Sequence, residues 1–419
     1  MPAKKSTVVI GSGVIGMATA YYLAAEGRAV TVIDRAPDAA DGASFANGGM
    51  LTPSLVDPWN APGVFWKMLT WIGREDAPLL LRPQVLPQLL GWGVEFLRQS
   101  GEARFRANMA KNLSLSVYSL QMMAELRETL GLTYDQALSG SLKVFRSSRD
   151  LNESLARSEL LQSFGLHLEA KDRKQVLALE PALGDIADSI AGGVFCPSDE
   201  LGDARLFTHG LARAARDLGA ELRFNEQVIG FQMDGDRIGH VLTDTETHTA
   251  DDVVVAAGCW SPKVLRQLGM KLQVQPVKGY SLTLDADRWL ERPGLAVIDD
   301  ALHAAVVPLG KRLRVAGTAE LAGYDDRLAA GRIANLRTLL AEIYPASCGH
   351  LDAMPARAWT GLRPVTPNGV PVIGRRGFAN LYLNTGHGHL GWTMAAGSGR
   401  LLADVMVGRR PAIDPAQFN

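Results

Sequence analysis

The chain has 419 residues, of which 47% are hydrophobic and 21% are charged, and its formal net charge is −1. This length is sufficient for two domains and a large core, and the composition is that of an ordinary globular protein. A chain so nearly neutral has no electrostatic footprint for a nucleic acid, so none is expected as a partner. Three cysteines lack metal-ligand spacing and are predicted to be reduced thiols of a cytoplasmic protein: Cys196, Cys259 and Cys348.

No targeting or membrane-spanning segment is predicted. The apolar run near the start of the chain is interrupted by Gly11, Gly13 and Gly16, which a signal peptide would not require. No uninterrupted apolar run reaches about 18 residues, so a spanning helix is not expected. We therefore expect a cytoplasmic protein.

Residues 8–34 carry the strongest local motif. A strand over 8–10 is predicted to lead into Gly11-x-Gly13-x-x-Gly16, followed by a helix and a second short strand. The first glycine allows a tight turn, the second lets a pyrophosphate approach the backbone, and the third lets the helix pack on the sheet. The helix N-terminus then offers free N–H groups and a positive dipole end to the phosphates.

Asp34 ends the second predicted strand, 18 residues beyond Gly16. A carboxylate there accepts hydrogen bonds from both ribose hydroxyls and repels a 2′-phosphate, which predicts an NAD-like or FAD-like ligand and not NADP. The motif begins almost at residue 1, and the loop over 42–50 is rich in glycine, serine and asparagine. That loop can run its amides along a diphosphate and then under a flavin ring, which favours FAD.

Residues 53–99 are rich in Trp, Leu and Pro. Two interpretations stay open: a packed subdomain, or a surface that lies against a membrane, because Trp and Leu beside basic residues suit an interface. The second would place the protein peripherally on the cytoplasmic face of the inner membrane, where anionic headgroups attract Lys and Arg. The residues concerned are Trp59, Trp66, Trp71 and Trp92, with Lys67, Arg74, Arg82 and Arg98.

The rest of the chain alternates between helical and strand-like patterns. Helices are predicted over 102–132, 151–164, 205–218, 332–343 and 393–407. Strands are predicted over 192–196, 221–231, 237–243, 251–258, 275–283, 304–308 and 312–317. The strand over 251–258 is apolar enough for the interior of a parallel sheet. This alternation predicts two domains that are interleaved in sequence.

Several segments together resemble the D-amino acid oxidase superfamily of FAD-dependent amine oxidoreductases. The resemblance covers nearly the whole chain and includes GSGVIG, the loop over 44–49, and the segments 58–63 and 276–281. Its most specific parts are WTGLRPVTPNG over 359–369 and TGHGHLGWTM over 385–394. Within the superfamily, these residues most closely resemble the small subunit of bacterial D-amino acid dehydrogenases.

The resemblance implies an α/β protein. An FAD-binding Rossmann-like domain of the glutathione reductase type is expected to be interleaved with an α+β substrate domain built on a mostly antiparallel sheet. The FAD-binding domain is assigned to 1–57, 199–273 and 355–419, and the substrate-binding domain to 58–198 and 274–354. FAD is expected to be held non-covalently.

The same resemblance implies cofactor contacts. The segment 386–391 resembles the one that delivers backbone N–H groups to the pyrimidine end of the flavin, where reduction places negative charge. Its two histidines lack carboxylate or cysteine companions, so no metal is expected. The predicted cofactor contacts are Gly11, Gly13, Val14, Ile15, Gly16, Asp34, Arg35, Ala43, Ser44, Asn47, Gly48, Gly49, Val228, Ala257, Gly258, Trp260, Gly388, His389, Leu390, Gly391, Trp392 and Thr393.

A substrate carboxylate needs a rigid cationic partner, and a planar guanidinium binds it bidentately. Arg363 occupies the position at which amino acid oxidases and glycine oxidase resemble this chain and use an arginine; a salt bridge is the alternative. Arg312 and Arg314 are weaker candidates for a second contact. The other predicted contacts are Tyr280, which could instead be core; His303, which could instead be structural; and Met50.

The chemistry implied is oxidation of a C–N bond to an imine, which water hydrolyses to a keto acid and ammonia. A hydride is expected to pass from Cα to flavin N5 without an acid–base dyad. Ala304 and Ala305 predict a roomy pocket in which no acidic partner is obvious. Small, apolar or cyclic substrates such as D-alanine, D-proline or hydroxyproline are therefore expected.

Three activities stay open. A dehydrogenase would pass electrons to a quinone or another carrier, whereas an oxidase of the glycine, sarcosine or D-amino acid type would reduce O2 to peroxide. The chain could also be the FAD subunit of a multi-subunit amine or hydroxyproline dehydrogenase complex. Chain length and the Trp-rich segment favour the first. A homo-oligomer and a hetero-complex are both compatible with the sequence.

Overall fold

The computed structural model describes residues 4–64, 66, 79–289, 291–349 and 354–418. Its strands are β1 (Ser6–Ile10), β2 (Ala29–Ile33), β3 (Met50–Leu51), β4 (Leu79–Leu81), β5 (Ser141–Phe145), β6 (Glu169–Lys171), β7 (Gly192–Cys196), β8 (Glu200–Leu201), β9 (Glu221–Arg223), β10 (Val228–Asp234), β11 (Arg237–Thr243), β12 (Thr247–Thr249), β13 (Asp252–Val255), β14 (Gln275–Asp285), β15 (Ala296–Asp299), β16 (Ala304–Leu309), β17 (Arg312–Leu321), β18 (Ala356–Val365), β19 (Val372–Arg375) and β20 (Leu381–Thr385).

Its helices are α1 (Val14–Ala25), α2 (Leu86–Arg98), α3 (Glu102–Leu130), α4 (Ser148–Ser163), α5 (Arg173–Leu179), α6 (Ala204–Asp217), α7 (Ser261–Arg266), α8 (Ala330–Ile343) and α9 (Gly391–Val407). Short 3-10 turns connect several of them. The predicted helices over 102–132, 151–164, 205–218, 332–343 and 393–407 are thus confirmed to within a few residues. The first of them ends at Gly131, whose φ of 59° is the left-handed conformation that stops a helix.

A six-stranded sheet has the order β19-β20-β13-β1-β2-β9. The strands from β20 to β9 are parallel, and β19 pairs antiparallel with β20. Val9 and Val254 pack against α1, α3, α6 and α9, whereas Val8 and Val253 pack against α7 and a three-stranded sheet, β10-β11-β12. Because both faces are covered, these strands are continuous apolar runs in the sequence.

A nine-stranded, mostly antiparallel sheet forms the other half of the molecule. Its main order is β18-β14-β17-β16-β15-β5-β7-β6, and β4 pairs with the end of β17. Along β14, Tyr280, Leu282 and Leu284 pack into a core that includes α8. Gly279, on the other face of that strand, borders a large cavity. The predicted fold class, a Rossmann-like parallel sheet with a separate antiparallel sheet, is therefore confirmed.

One strand prediction is wrong. Residues 221–231 were expected to form a single strand, but β9 ends at Arg223 and belongs to the six-stranded sheet, whereas β10 begins at Val228 in the three-stranded sheet. The chain turns at Asn225, which has a φ of 55° and donates its N–H to the Ala36 carbonyl at 2.9 Å. Asparagine tolerates that left-handed conformation, so the strand breaks there.

The Trp-rich segment divides between core and surface. Trp59 and Trp92 pack in a cluster with residues of β14, β17 and β18, whereas Trp66 is 71% exposed. Trp71, Lys67 and Arg74 lie outside the described residues. No described helix is long and apolar enough to cross a membrane.

Candidate active site

A cavity of about 1970 Å³ lies between the six-stranded and nine-stranded sheets. Its wall combines the turn after β1 and the end of β2 with parts of β14, β16, β17 and β18. The wall includes every predicted site residue except Gly16, Tyr280, Leu390 and Thr393. Residues far apart in sequence are thus brought to one enclosed space.

The glycines after β1 meet two different constraints. A Cβ added at Gly11 would lie 2.5 Å from the Ala256 carbonyl oxygen, and one added at Gly16 would lie 1.9 Å from that of Gly11. Both positions therefore require glycine for packing within the protein. A Cβ at Gly13 would meet only the Ser44 hydroxyl, at 3.5 Å, although Gly13 lines the cavity. The space over Gly13 thus stays open to a ligand, as the pyrophosphate of a dinucleotide requires.

Asp34 is held rigidly at the edge of the cavity. One carboxylate oxygen accepts the Ser12 N–H at 2.7 Å and the Ser12 hydroxyl at 2.8 Å, and the other accepts the Ala36 N–H at 2.9 Å. A carboxylate has about four lone-pair sites, so this geometry leaves capacity for a ribose hydroxyl.

Two helices begin at the cavity without a side-chain cap from their own N-cap residue. These helices are α1, capped by Gly13, and α9, capped by Leu390. The Ser44 hydroxyl accepts the Val14 N–H at 3.0 Å. Helix N-termini of this kind bind anions, because their N–H groups and dipoles both favour negative charge. The site therefore fits an extended anionic cofactor with one charged part at each helix.

A stack of cations and aromatic rings borders the Asp34 end. The Arg35 guanidinium lies 3.7 Å from the centre of the Trp260 ring, and Lys263 Nζ lies 4.3 Å from the same ring and 3.8 Å from that of Tyr324. Burial, with the nearby Arg35 charge, lowers the pKa of Lys263. Sequence reasoning missed Lys263, although its position three residues after Trp260 in a helical segment placed both on one side.

The loop after β2 is tied to the nine-stranded sheet. The Ser281 hydroxyl donates to the Ala46 carbonyl at 2.6 Å, and Arg314 donates to the Asn47 carbonyl at 3.1 Å. Within the loop, Asn47 Oδ1 accepts the Gly49 N–H at 3.0 Å, and Gly49 has a φ of 75°. The loop thus joins the dinucleotide motif to the nine-stranded sheet.

The two histidines of the 386–391 segment are neutral. Burial lowers the pKa of His387 to about 3, and its Nε2 has no hydrogen-bond partner among the described residues. The His389 ring stacks on Trp59 at 5.3 Å, and its Nε2 donates to the Leu55 carbonyl at 3.2 Å. Burial is also the main cause that lowers the pKa of His389 to about 4, although its ring is accessible from the cavity.

The Arg363 guanidinium is buried in the cavity wall. Its Nη1 has no hydrogen-bond partner in the described part of the chain, and burial lowers its pKa to about 10. A Cβ added at Gly279, on the neighbouring strand, would lie 2.0 Å from that nitrogen. Glycine there leaves the space that the guanidinium occupies. A buried cation without a partner is unfavourable unless a ligand supplies the counter-charge, and a carboxylate fits it.

Tyr280 does not line the cavity. Its side chain packs with Leu282 on the α8 side of β14, and its hydroxyl donates to Glu320 at 2.7 Å. Successive side chains of a strand point to opposite faces, so the cavity side of β14 at this point belongs to Gly279. Met50 and His303 do border the cavity.

Arg312 and Arg314 bind carboxylates of the protein. Arg312 pairs with Asp135 at 2.6 Å and Asp203 at 3.0 Å, and Arg314 pairs with Asp203 at 3.2 Å. These arginines therefore connect elements of the fold, and neither lines the cavity.

The premise that the pocket lacks an acidic group is wrong. The carboxylates of Asp57 and Asp300 lie on the cavity wall together with Ala304 and Ala305. Asp300 pairs with Lys143 at 2.6 Å, and no described residue makes a hydrogen bond or ion pair with the Asp57 side chain. Sequence reasoning missed Asp57, which stands alone among apolar residues in a loop.

The fold and the cavity combine a dinucleotide-type turn on the six-stranded sheet with a cavity wall that the nine-stranded sheet completes. The chain belongs to the FAD dependent oxidoreductase (DAO) family, whose model matches residues 6–405. FAD is the cofactor on which that family depends, and the open space over Gly13, the fixed carboxylate of Asp34 and the two helix N-termini fit it.

Curated relatives and solved structures agree with this assignment. A D-amino acid dehydrogenase of Bradyrhizobium diazoefficiens is 40% identical over 97% of this chain and 96% of its own. A D-amino acid dehydrogenase of Methylobacterium nodulans is 42% identical over the same shares. The L-proline dehydrogenase of P. horikoshii superposes with a TM-score of 0.78 at 19% identity, covering 100% of this chain and 97% of that one. Glycine oxidase of Geobacillus kaustophilus gives 0.75 at 23% identity, covering 99% and 98%.

Proposed function

We propose that this enzyme is an FAD-dependent D-amino acid dehydrogenase that passes electrons to a quinone or another carrier. The observation that carries the proposal is the Arg363 Nη1, which is buried in the same cavity as the dinucleotide site and has no hydrogen-bond partner among the described residues. Relatives about 40% identical over nearly the full length are named D-amino acid dehydrogenases, which supports the same activity.

Arg363 binds the substrate carboxylate and thereby positions the Cα–H bond over the flavin. Bound FAD would supply the acceptor for the hydride that leaves Cα of the neutral amine; the resulting iminium would release a proton to solvent, and water would hydrolyse the imine to a keto acid and ammonia. The stacked pair of Trp59 and His389 forms the wall beside Arg363, whose guanidinium lies 5.9 Å from the Trp59 ring. Arg363 is the cation that orients the substrate, because its Nη1 lies in the cavity wall with no hydrogen-bond partner among the described residues.

Three directions fix the configuration of the substrate. The carboxylate points to Arg363, the hydrogen points to the flavin, and the side chain occupies the space beside Ala304 and Ala305. Only one enantiomer satisfies all three, and the relatives' names support the D-form. Small or cyclic substrates such as D-alanine, D-proline and hydroxyproline fit this arrangement.

An anaerobic panel of D- and L-amino acids tests the proposal. The purified protein should be yellow, and D-alanine or D-proline should bleach the flavin absorbance whereas their L-enantiomers should not. Bleaching by the L-enantiomers alone would contradict the proposal. Bleaching by no amino acid in a protein that retains FAD would contradict it as well.

We further propose that α2 contacts a membrane surface and that electrons pass to a quinone there. Four apolar residues project to the outside of this helix at helical spacing: Leu86, Leu90, Val94 and Leu97, with Leu90 69% exposed. The opposite side of α2 places Trp92 and Phe96 in the cavity wall. Arg98 and Arg104 lie exposed near its C-terminal end. An apolar helix face with neighbouring basic residues suits an anionic bilayer, and a quinone dissolved there would be close to the cavity.

The test compares quinone-analogue reduction under anaerobic conditions with peroxide formation in air, each with and without anionic liposomes. Liposomes should bind the protein and speed quinone reduction. A Leu90→Gln/Val94→Gln variant should lose both effects, whereas Leu328→Gln, at another exposed leucine, should keep them. Stoichiometric peroxide without quinone reduction would make the enzyme an oxidase. Equal liposome binding by both variants would remove α2 from the membrane proposal.

A further inference from the structure

The turn between β13 and α7 places the Trp260 ring at the cavity. The Thr385 hydroxyl, at the end of β20, donates to the Gly258 carbonyl at 3.1 Å and lies 2.9 Å from the Ser261 hydroxyl. These contacts fix the turn to the six-stranded sheet on both sides of Trp260. The ring itself is half-buried and lines the cavity, so its orientation depends on the side chains that pack against it.

Tyr324 reaches this turn from the other half of the molecule. It lies three residues beyond the end of β17, which belongs to the nine-stranded sheet, and its hydroxyl donates to the Cys259 carbonyl at 2.9 Å. Its ring lies 4.7 Å from the Trp260 ring, with 42° between the two planes. Burial raises the pKa of Tyr324 to about 12, so the hydroxyl remains a donor at neutral pH. Tyr324 therefore links the two halves of the molecule beside Trp260.

Lys263 contacts both rings. Its Nζ lies 3.8 Å from the centre of the Tyr324 ring and 4.3 Å from that of the Trp260 ring, and both distances are within the range of cation–π attraction. Lys263 lies on α7, which begins directly after Trp260. One side chain of the six-stranded half thus holds a ring of each half.

The dinucleotide motif supplies a second cation to the same ring. Arg35 follows Asp34 directly, and its guanidinium lies 3.7 Å from the centre of the Trp260 ring. Arg35 and Lys263 both line the cavity, and neither side chain makes a hydrogen bond or an ion pair with a described residue. This end of the cavity therefore carries two cations that the fold does not neutralise, which favours an anionic ligand such as FAD.

We propose that Lys263 and Tyr324 are positioning residues for FAD. They hold the Trp260 ring at the Asp34 end of the cavity and join the two halves of the molecule there, so that FAD dissociates slowly. A ring that is ordered before the cofactor binds does not have to be ordered on binding, which raises affinity. The inference depends on FAD as the cofactor and is independent of the substrate of the enzyme.

The experiment measures the rate at which the holoenzyme releases FAD after large dilution, followed by flavin fluorescence. Lys263→Met removes the charge and keeps a long side chain, and Tyr324→Leu removes the ring and its hydroxyl. Each should speed release by about 3- to 10-fold, the size expected for the loss of one cation–π contact. Lys263→Arg should restore most of the retention, because a guanidinium also stacks on aromatic rings. Arg266→Met is the matched control, since Arg266 is an exposed cation of the same helix that does not line the cavity.

A double variant tests whether the two residues act together. Lys263→Met/Tyr324→Leu should speed release by less than the product of the two single effects, because both substitutions remove the same contact. Effects that simply multiply would show that Lys263 acts independently of Tyr324 and would overturn the proposal. Unchanged release in Lys263→Met, or equal acceleration in Arg266→Met, would overturn it as well. A lower melting temperature in Lys263→Met without faster release of FAD would do the same, since these contacts would then stabilise the fold alone.

Discussion

Two arginines on the nine-stranded sheet have opposite surroundings. Arg314 on β17 pairs with Asp203 at 3.2 Å and also donates to the Thr283 hydroxyl and the Asn47 carbonyl. Arg363 on β18 is half-buried, and its buried Nη1 has no partner in the described part of the chain. Both positions were candidates for the substrate carboxylate from sequence.

This difference is the reason that we propose Arg363, and not Arg314, as the partner of the substrate carboxylate. Asp203 accepts both Arg314 and the first N–H groups of α6, so its ion pair connects a helix, the loop over 42–50 and the sheet. The Nη1 of Arg363 makes no such link between elements among the described residues, and Gly279 leaves space for it beside the cavity. Burial of a charge indicates function only where the fold supplies no countercharge.

The largest expected effect is on stability at Arg314. Arg314→Ala should lower the free energy of unfolding by about 3–5 kcal/mol, because Asp203 loses its buried partner and keeps only the more exposed Arg312 as a countercharge. Urea unfolding of the holoenzyme measures this loss. Lys311→Ala is the control, since the Lys311 pair with Asp287 is exposed. A loss below about 1 kcal/mol would show that Arg312 alone compensates Asp203.

Arg363→Ala should lower activity and leave stability nearly unchanged, which is the reverse of the effect expected for Arg314→Ala. Loss of the carboxylate contact should reduce kcat/KM for D-alanine by roughly 30- to 1000-fold, or about 2–4 kcal/mol. FAD content and melting temperature should stay near the wild type, since no described residue depends on the Nη1 group. Arg363→Lys should recover part of the activity, because it keeps the charge and loses the bidentate geometry. Unchanged kinetics in the alanine variant would remove Arg363 from the site.

The dinucleotide half was predictable because its signals are local. One strand–helix–strand unit contains Gly11, Gly13, Gly16 and Asp34. The local backbone geometry requires these residue types, so the motif is visible in the sequence. The continuous apolar strands and the helical spacing of α3 follow from burial in the same direct way.

The substrate half was less predictable because its geometry depends on pairing between distant strands. Tyr280 lies in a strand buried on both faces, so no alternation of polar and apolar residues indicates which face a side chain occupies. Asp57 is brought into the cavity by contacts with α3, α9 and the 366–369 segment, none of which is near in sequence. The contact of Lys263 with the Trp260 ring followed from their spacing, but the position of both beside the cavity depends on the fold.

A third buried ionisable group makes the free energy of unfolding depend on pH. Asp199 is fully buried, has hydroxyl partners in Ser54 and Ser141, and burial raises its pKa to about 6. Between pH 4 and 6 the folded state therefore binds more protons than the unfolded state at this group. Its contribution to the free energy of unfolding falls as pH rises through that window, by at most about 3 kcal/mol.

Asp199→Asn should remove that part of the pH dependence. The measurement is urea unfolding at pH 4, 5, 6 and 7, with Asp150→Asn, at an exposed carboxyl, as the control. The difference in unfolding free energy between pH 4 and pH 7 should change in Asp199→Asn only. Identical slopes in wild type and Asp199→Asn would show that burial does not raise the pKa of this carboxyl above its value in the unfolded state.

The smallest expected effect comes from moving the Arg363 guanidinium without removing its charge. A Cβ added at Gly279 would lie 2.0 Å from Nη1 and 2.3 Å from Cζ, so Gly279→Ala must displace the end of this side chain while leaving its charge in the cavity. We expect kcat/KM for D-alanine to fall by about tenfold, or ~1.4 kcal/mol.

Gly361→Ala is the matched control, because Gly361 is paired with Gly279 and its Cβ would meet the Trp359 ring. In an Arg363→Ala background, Gly279→Ala should have no further effect, since the group that it displaces is already absent. An additive loss in that double variant would mean that Gly279 acts on the cavity independently of Arg363.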